Sequence, residues 1–176
     1  MTLDPVFNWI ATLALVQLFA SAAWHKLSDI ESFKRVLTNY QIISHLGLPI
    51  LAKGVIVLEL LAVALLAIPD FRVIGSLIAI ALLSSYAIAM SSTLIKGRRL
   101  ADCGCHFGKQ SQPVSWFLVV RNTLLIALGV FLIIPITARP MNFLDFGSIL
   151  FAFALCPLIY SIAHGLHHNH NTLQKG

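Results

Sequence analysis

Long apolar runs separated by short polar connections dominate the chain. Five of these runs approach the roughly 20 residues that a helix needs to cross a bilayer. Lipid offers backbone groups no hydrogen-bond partner, so helices are the expected form of such runs. We predict an all-α integral membrane protein, a single domain over residues 1–176 that forms a bundle of four to five transmembrane helices. The predicted spans are residues 6–24, 49–68, 73–94, 115–136 and 143–164.

The connection between the first two runs carries a helical pattern of its own. Ser28 and Glu31 have the spacing of a capping box, which predicts where this helix begins. Its apolar residues recur at helical spacing, and they are Ile30, Phe33, Val36, Leu37, Tyr40 and Ile43. The pattern predicts a short amphipathic helix over about residues 29–45 that lies in the membrane interface. The alternative is a mobile loop.

The composition agrees with a membrane protein. Hydrophobic residues make up 58% of the chain, charged residues 11%, and the mean hydropathy is +0.86. Soluble domains carry roughly 25% charged residues. The net charge of +5 does not indicate nucleic acid binding, because the cations lie in the connections between apolar runs. No Lys or Arg precedes the first run, so we expect a retained span and not a cleaved signal peptide.

The cations are distributed unequally between the connections. The second connection carries Arg72 and the fourth Arg139, whereas the first and third carry Lys26, Lys34, Arg35, Lys53, Lys96, Arg98, Arg99 and Lys109. The positive-inside rule therefore places the N-terminus in the periplasm and the first and third connections in the cytoplasm of a bacterial inner membrane. In this interpretation Lys26 is an interfacial residue that ends the first span.

Two cysteines stand one residue apart in the third connection, within ADCGCHFGKQ. Nearby cations favour the reactive thiolate. A disulfide between Cys103 and Cys105 would close a small, strained ring and be suited to exchange, so both are candidate catalytic residues. Two unpaired loop cysteines are one alternative. A metal site with His106 is another, but structural zinc sites take four ligands, and we predict no metal.

Glu59 lies midway along the second run, where an ionisable side chain is costly and usually faces a partner within the bundle. Arg121, in the fourth run, is its predicted partner in a structural ion pair that ties two helices together. The alternative is that Glu59 or Arg121 handles a proton or a quinone head group during thiol oxidation. Asn122 follows Arg121 and is expected to hydrogen-bond nearby.

The third cysteine, Cys156, lies in the fifth run beside Pro157, which is expected to kink that helix. Buried cysteines are usually inert packing residues. The alternative is a relay thiol that reaches the Cys103/Cys105 pair. Histidines are concentrated near the C-terminus, where they predict a solvated tail in preference to a metal site; they are His164, His167, His168 and His170.

Taken in order, four segments resemble the methylamine-utilisation protein MauE family, which is similar to the broader DoxX-like membrane proteins. They are SAAWHKLSDIESFKRVLTNYQI, VIVLELLAVALLA, DCGCHFG and SWFLVVRNTLLI. The resemblance covers roughly residues 5–137. Many relatives run Cys-Gly-Cys directly into Phe-Gly, so His106 has no sure counterpart. The matching positions are Cys103, Cys105, Glu59, Arg121 and Asn122.

The resemblance implies a role in maturation. Proteins of this kind look like partners of a periplasmic thioredoxin-like protein. Together the two help the disulfide-rich small subunit of methylamine dehydrogenase, which carries a tryptophan-derived quinone, to fold or survive. The leading hypothesis is thus a membrane thiol–disulfide exchange factor that passes electrons to or from a partner, with a quinone as one route. The alternatives are a non-catalytic assembly or anchoring factor and a quinone-binding subunit of an oxidoreductase.

Overall fold

Helices account for nearly all of the computed structural model, which describes residues 3–40, 47–96, 115–137, 139–155, 158 and 162. They are α1 (Pro5–Ser28), α2 (Ile30–Tyr40), α3 (Leu48–Ala67), α4 (Arg72–Ile95), α5 (Trp116–Phe131) and α6 (Phe143–Leu155), with a 3-10 turn at Pro69–Phe71. Within these ranges the β-structure is one isolated bridge between Leu3 and Ile136. The predicted all-α fold class is confirmed.

Three of the described helical segments are long and apolar enough to cross a membrane. They are α1, α3 and the segment Pro69–Ile95, which joins the 3-10 turn to α4. The 24 residues of α1 and of α4 each rise about 36 Å, more than the thickness of a hydrocarbon core. Both α5 and α6 are shorter apolar helices. The chain is a multi-pass membrane protein, and the number of crossings stays a prediction.

Alternating helix directions give the bundle two distinct ends. The first end collects the start of α1, the end of α3, the start of α4 and the end of α5; we call it the Asp4 end. The second collects the end of α1, the start of α3, the end of α4 and the start of α5; we call it the Lys26 end. Between them the helices bury a core that includes Leu15, Phe19, Leu66 and Leu83.

The end of α5 differs from the prediction. The apolar run predicted a helix to residue 136, but α5 ends at Phe131. Proline lacks an amide hydrogen and disfavours helical backbone at the residue before it, so Pro135 ends the run early. The freed backbone pairs with the N-terminus. The Leu3 N–H donates to the Pro135 carbonyl at 2.9 Å, and the Thr137 N–H donates to the Leu3 carbonyl at 2.8 Å.

Arg139 fastens the same end by charge. Its guanidinium bonds the carboxylates of Asp4 and Asp145, with Nε–Oδ2 and Nη1–Oδ2 distances of 2.9 Å and 2.9 Å. The hydrogen bonds from Arg139 lower the pKa of Asp4 below its ordinary value of 3.8. Asp4 also caps α1, since it accepts the Val6 N–H at 2.9 Å. The start of α1 is thereby fixed to the segment that follows α5.

The start of α2 is capped differently from the prediction. Asp29 accepts both the N–H and the hydroxyl of Ser32, at 3.0 and 2.7 Å, and these bonds lower its carboxyl pKa. Ser28 instead donates to the carbonyl of Trp24 at 2.9 Å. The capping-box prediction was wrong because α1 continues to Ser28, which is therefore still inside the preceding helix.

The amphipathic pattern of α2 does produce a helix with one packed face. Phe33 is 5% exposed and packs against Ala52 and Ile56 of α3. Residues 41–45 of the predicted helix lie outside the described part of the chain. The position of α2 in the membrane interface stays a prediction.

Two cations that were counted as loop residues are in fact buried in helices. Lys26 is 2% exposed in the last turn of α1, and Arg72 is 4% exposed in the first turn of α4. The sequence analysis counted Lys26 on the cytoplasmic side and Arg72 on the periplasmic side. Leaving both out of the count therefore still gives more cations on the cytoplasmic side. The described cations of the Lys26 end include Lys34, Lys53 and Lys96.

Gly75 lies where α3 and α4 approach most tightly. A Cβ built on it would lie 2.7 Å from the backbone nitrogen of Leu66. Backbone atoms cannot yield locally, so we expect Gly75→Ala to separate the helices and cost about 1–3 kcal/mol in the free energy of unfolding. Thermal unfolding in detergent measures this loss. Gly54→Ala is the matched control, because nothing lies within 4 Å of its built Cβ. Equal melting temperatures for the two variants would contradict the prediction.

Candidate functional site

A buried polar cluster joins α1, α3 and α4 inside the bundle. Lys26 of α1 forms an ion pair with Oε1 of Glu59 on α3, and the two side chains are 1% and 0% exposed. The hydroxyl of Tyr86, on α4, donates to the same carboxylate oxygen at 2.7 Å. The Lys26 ammonium also donates to the Tyr86 hydroxyl oxygen at 3.1 Å. We call these three residues the Lys26 cluster.

Aromatic rings surround the ammonium group. Lys26 Nζ lies 5.0 Å from the ring centroid of Phe33 and 4.8 Å from that of Tyr86. Such contacts contribute about 2 kcal/mol when the cation is desolvated. Because Phe33 belongs to α2, the short helix covers the cluster as well as packing on α3. The helix that covers the site, α2, was predicted from its amphipathic pattern and not from the cluster.

Helical spacing explains how a lysine and a glutamate come to face each other. The buried positions of α1 recur every three or four residues, and they include Asn8, Thr12, Leu15, Phe19, Ala22 and Lys26. The buried positions of α3 follow the same rule, and they include Ala52, Ile56, Glu59, Ala62 and Leu66. Alanines on both faces leave room for the long lysine stem between the helices.

The ion-pair partner of Glu59 differs from the prediction. Glu59 pairs with Lys26, a partner that the sequence did not predict, and the expected pairing with Arg121 stays a prediction. The prediction ended the first span at Trp24 and so placed Lys26 in a connection. A signal was available, since Lys26 continues the spacing of the apolar face of α1. Tyr86 was missed altogether, because a single tyrosine in an apolar run carries no sequence signal.

Asn122 lies at the level of the Lys26 cluster. Leu118 of α5 packs against Met90 of the antiparallel α4. Asn122 is one turn beyond Leu118 and Tyr86 is one turn before Met90, so the two residues fall at the same height. Asn122 is 1% exposed, and neither atom of its amide has a hydrogen-bond partner in the part of the chain that the structure describes. Arg121 adjoins it on the partly exposed side of α5.

The cluster also leaves one carboxylate oxygen unused. Oε1 of Glu59 accepts two hydrogen bonds, whereas the buried Oε2 has no partner among the described residues. A buried polar atom without a partner costs about 1–3 kcal/mol. The arrangement is therefore suited to accepting a hydrogen bond from a small polar group.

We expect Tyr86→Phe to destabilise the bundle by about 1–3 kcal/mol, because it removes a donor from Glu59 while the ring remains beside Lys26. Unfolding in detergent, followed by tryptophan fluorescence, measures the loss. Ser76→Ala is the control, since the partner of its buried hydroxyl among the described residues is the Arg72 carbonyl of its own helix. If Ser76→Ala costs as much as Tyr86→Phe, the cluster contributes nothing beyond an ordinary buried hydroxyl.

The three cysteines, His106 and the C-terminal histidines lie outside the described residues. The segment 97–114, which holds Cys103 and Cys105, is joined to the end of α4 and to the start of α5. Both attachment points belong to the Lys26 end. Across the described ranges, the structure forms no group of three or more His, Cys, Asp or Glu side chains that could hold a metal ion.

Comparison with known proteins gives consistent matches. The family model "Methylamine utilisation protein MauE" matches residues 4–135. "Methylamine utilization protein MauE" of Paracoccus denitrificans is 32% identical over 159 residues, which cover 90% of this chain and 86% of the relative. The protein of the same name from Paracoccus versutus is 33% identical, with 89% and 85% covered, and that from Methylophilus methylotrophus is 27% identical, with 93% and 87% covered. No solved structure gives a significant match.

Proposed function

The chain belongs to the methylamine utilisation protein MauE family, and from this premise we propose that it exchanges disulfides through Cys103 and Cys105. Membership makes it a membrane protein of methylamine utilisation. The proposed partner is a periplasmic thioredoxin-like protein, and the proposed client is the disulfide-rich small subunit of methylamine dehydrogenase. The chain would thereby support maturation of that subunit.

The observation that carries the proposal is the attachment of the Cys103–Cys105 segment at the Lys26 end. The α4 and α5 helices pack against each other, so the two ends of this segment are joined to adjacent helices. Tyr86 lies nine residues before Ile95, about 14 Å along α4, and ties that helix to α1 and α3. The dithiol sequence is therefore joined by the chain to the Lys26 end of two adjacent helices, and the proposal places the exchange with the partner protein at that end.

The exchange itself needs no bound cofactor. One cysteine of the pair, as thiolate, attacks the disulfide of the partner and forms a mixed disulfide, and the partner sulfur that leaves takes up a proton. The second cysteine then attacks the mixed disulfide and releases the other partner thiol. The pair loses two electrons and two protons, and the partner gains both. The reverse sequence reduces this chain and oxidises the partner.

In this proposal the residues of the Lys26 cluster stabilise the bundle and take no part in the exchange. Because the protons of exchange pass between the thiols of the two proteins, Glu59 is not required as a proton acceptor. Its ion pair with Lys26 joins α1 to α3, and the Tyr86 hydrogen bond to the same carboxylate adds α4. Breaking the pair should therefore lower exchange only as far as it lowers the amount of folded protein.

The redox state of the pair in cells tests the proposal. Thiols are trapped with acid and labelled with a mass tag, in wild-type cells and in cells that lack the thioredoxin-like partner. We expect a mixture of dithiol and disulfide that shifts when the partner is absent. A pair locked in one state in both strains would contradict exchange and favour a non-catalytic assembly or anchoring factor.

A quinone-binding function is the second candidate, favoured by polar atoms at the height of Tyr86 that have no hydrogen-bond partner among the described residues. Oε2 of Glu59 and the amide of Asn122 offer an acceptor and a donor within the apolar bundle. A quinone carbonyl accepts hydrogen bonds, and a quinol hydroxyl donates them. Solvent extraction of the purified protein would release a stoichiometric quinone, and Asn122→Leu would lose it. A quinone-free extract from the wild-type protein would exclude this candidate.

For orientation, we propose a bacterial inner membrane with the N-terminus periplasmic and the Cys103–Cys105 segment cytoplasmic, as the loop charges indicate. A periplasmic partner then requires either a segment that folds into the bundle or the inverted topology. A membrane-impermeant maleimide distinguishes the two in a Cys156→Ser variant. We expect no labelling of intact cells and full labelling after permeabilisation. Labelling of intact cells would reverse the proposed orientation.

A further inference from the structure

A second buried cation lies at the Asp4 end, away from the Lys26 cluster. Arg72, in the first turn of α4, is 4% exposed and donates through Nη1 to Oδ1 of Asn8. Its guanidinium carbon lies 4.5 Å from the ring centroid of Trp9. The remaining donors are buried without a hydrogen-bond partner among the described residues, and they are Arg72 Nε, Arg72 Nη2 and Asn8 Nδ2.

The donors without a partner are arranged as in a site for an oxyanion. Nε and Nη2 make up one edge of the guanidinium, the parallel fork that binds two oxygens of a carboxylate or phosphate. Asn8 Nδ2 belongs to the amide that Nη1 already contacts, so a third donor lies at the same place. The fork sits at the start of α4, where no side chain caps the helix and the helix dipole adds positive potential.

The charge of Arg72 has no counter-charge in the described part of the chain. The described carboxylates have other roles: Asp4 and Asp145 bond Arg139, Glu59 bonds Lys26, Glu31 bonds Lys34, and Asp29 caps α2. Asp70 is close in sequence but is exposed and forms no ion pair with Arg72. The one further side-chain carboxylate, Asp102, lies outside the described residues, in the segment after α4. Buried charges are normally paired, because an unpaired one is costly.

We propose that Arg72 and Asn8 form a binding site for a phosphate oxyanion. Two phosphate oxygens accept from Nε and Nη2 of Arg72, and Asn8 Nδ2 donates to one of them. The phosphate supplies the missing counter-charge and satisfies all three orphan donors together. Either the headgroup of a membrane phospholipid or a free phosphate group has this chemistry. The site is independent of the Cys103/Cys105 pair and of the exchange proposed above.

Entry of the ligand requires a side chain to move, because the fork atoms are shielded from solvent. Trp9 is partly exposed and stacks on the guanidinium, so it is positioned to report binding. The other two tryptophans, Trp24 and Trp116, are 71% and 58% exposed. Replacing both by phenylalanine leaves Trp9 as the only indole, and its fluorescence then follows the site directly.

The test uses the full-length protein in a neutral detergent. One arm adds inorganic phosphate at constant ionic strength, with chloride as the control anion. The other raises the mole fraction of dioleoylphosphatidylglycerol, with phosphate-free dioleoylglycerol as the control lipid. We expect a saturable change in Trp9 fluorescence and a rise of several degrees in melting temperature. A response to the lipid alone identifies a phospholipid headgroup, and a response to inorganic phosphate identifies a free anion.

Two variants of the site make the test specific. Arg72→Lys keeps the charge but lacks the fork, and should raise the half-saturating concentration about tenfold to hundredfold. Asn8→Asp supplies an internal carboxylate, and should raise the ligand-free melting temperature and abolish both responses. Lys53→Gln removes an exposed cation of α3 as the control and should respond like wild type. The proposal is overturned if wild type responds to neither probe, or if Asn8→Asp responds as wild type does.

Discussion

Replacing Glu59 by glutamine is expected to destabilise the protein by about 3–5 kcal/mol, because it leaves the Lys26 ammonium buried without a counter-charge. The pair is almost completely shielded from solvent. Tyr86 and Phe33 cannot replace the carboxylate, since a ring contact with a desolvated cation contributes about 2 kcal/mol and supplies no negative charge. Reversible unfolding in mixed micelles measures the loss.

A double replacement distinguishes the effect of the two charges from the effect of the side-chain volume. Lys26→Met with Glu59→Leu removes both charges and keeps similar volumes, so stability should return to that of wild type or exceed it by about 1–4 kcal/mol. Glu31→Gln is the surface control, because its pair with Lys34 is exposed and contributes about 0–1 kcal/mol. A double variant less stable than both single variants would show that the ion pair is not the source of the loss.

Replacing either Cys103 or Cys105 by serine is expected to reduce maturation of the methylamine dehydrogenase small subunit to background. A hydroxyl neither attacks a disulfide nor forms one, so exchange stops at one of its two steps. The variant that keeps the attacking cysteine should accumulate a mixed disulfide with the thioredoxin-like partner. Non-reducing electrophoresis detects this species, and immunoblotting of the small subunit measures maturation.

Cys156→Ser is the matched control for the pair. We predict that Cys156 is a packing residue, so this variant should retain full maturation. A loss as large as that of Cys103→Ser would instead assign Cys156 to a relay. Normal maturation in a Cys103→Ser/Cys105→Ser double variant would contradict exchange and leave the chain with an assembly or anchoring role.

The apolar runs predicted the positions of the long helices well, because a helix in lipid is specified by length and hydropathy along a single run. Boundaries were predicted less well. Pro135 ended α5 earlier than its apolar run did, since backbone chemistry outweighs hydropathy at a proline. The N-terminus then found a backbone partner in that segment, and no pattern within either segment indicates this pairing.

The polar sites were predicted only in part. Glu59 was identified because a carboxylate within an apolar run is rare and costly. Its partner was not, because Lys26 and Arg72 lie at helix ends, where a charged residue usually marks the membrane surface. Both face inward in the structure. Which charges face each other depends on how three helices pack together, and that information is absent from any single run.

The burial of Lys26 also bears on the order in which the protein is made. Lys26 leaves the ribosome before Glu59 exists, so α1 first enters the membrane with an unpaired ammonium near its end. At that stage the lysine stem can reach the headgroups. Only the arrival of α3 provides the carboxylate that draws the ammonium inward. We therefore expect synthesis of the second apolar run to be the event that moves the Lys26 side chain from the headgroups into the bundle.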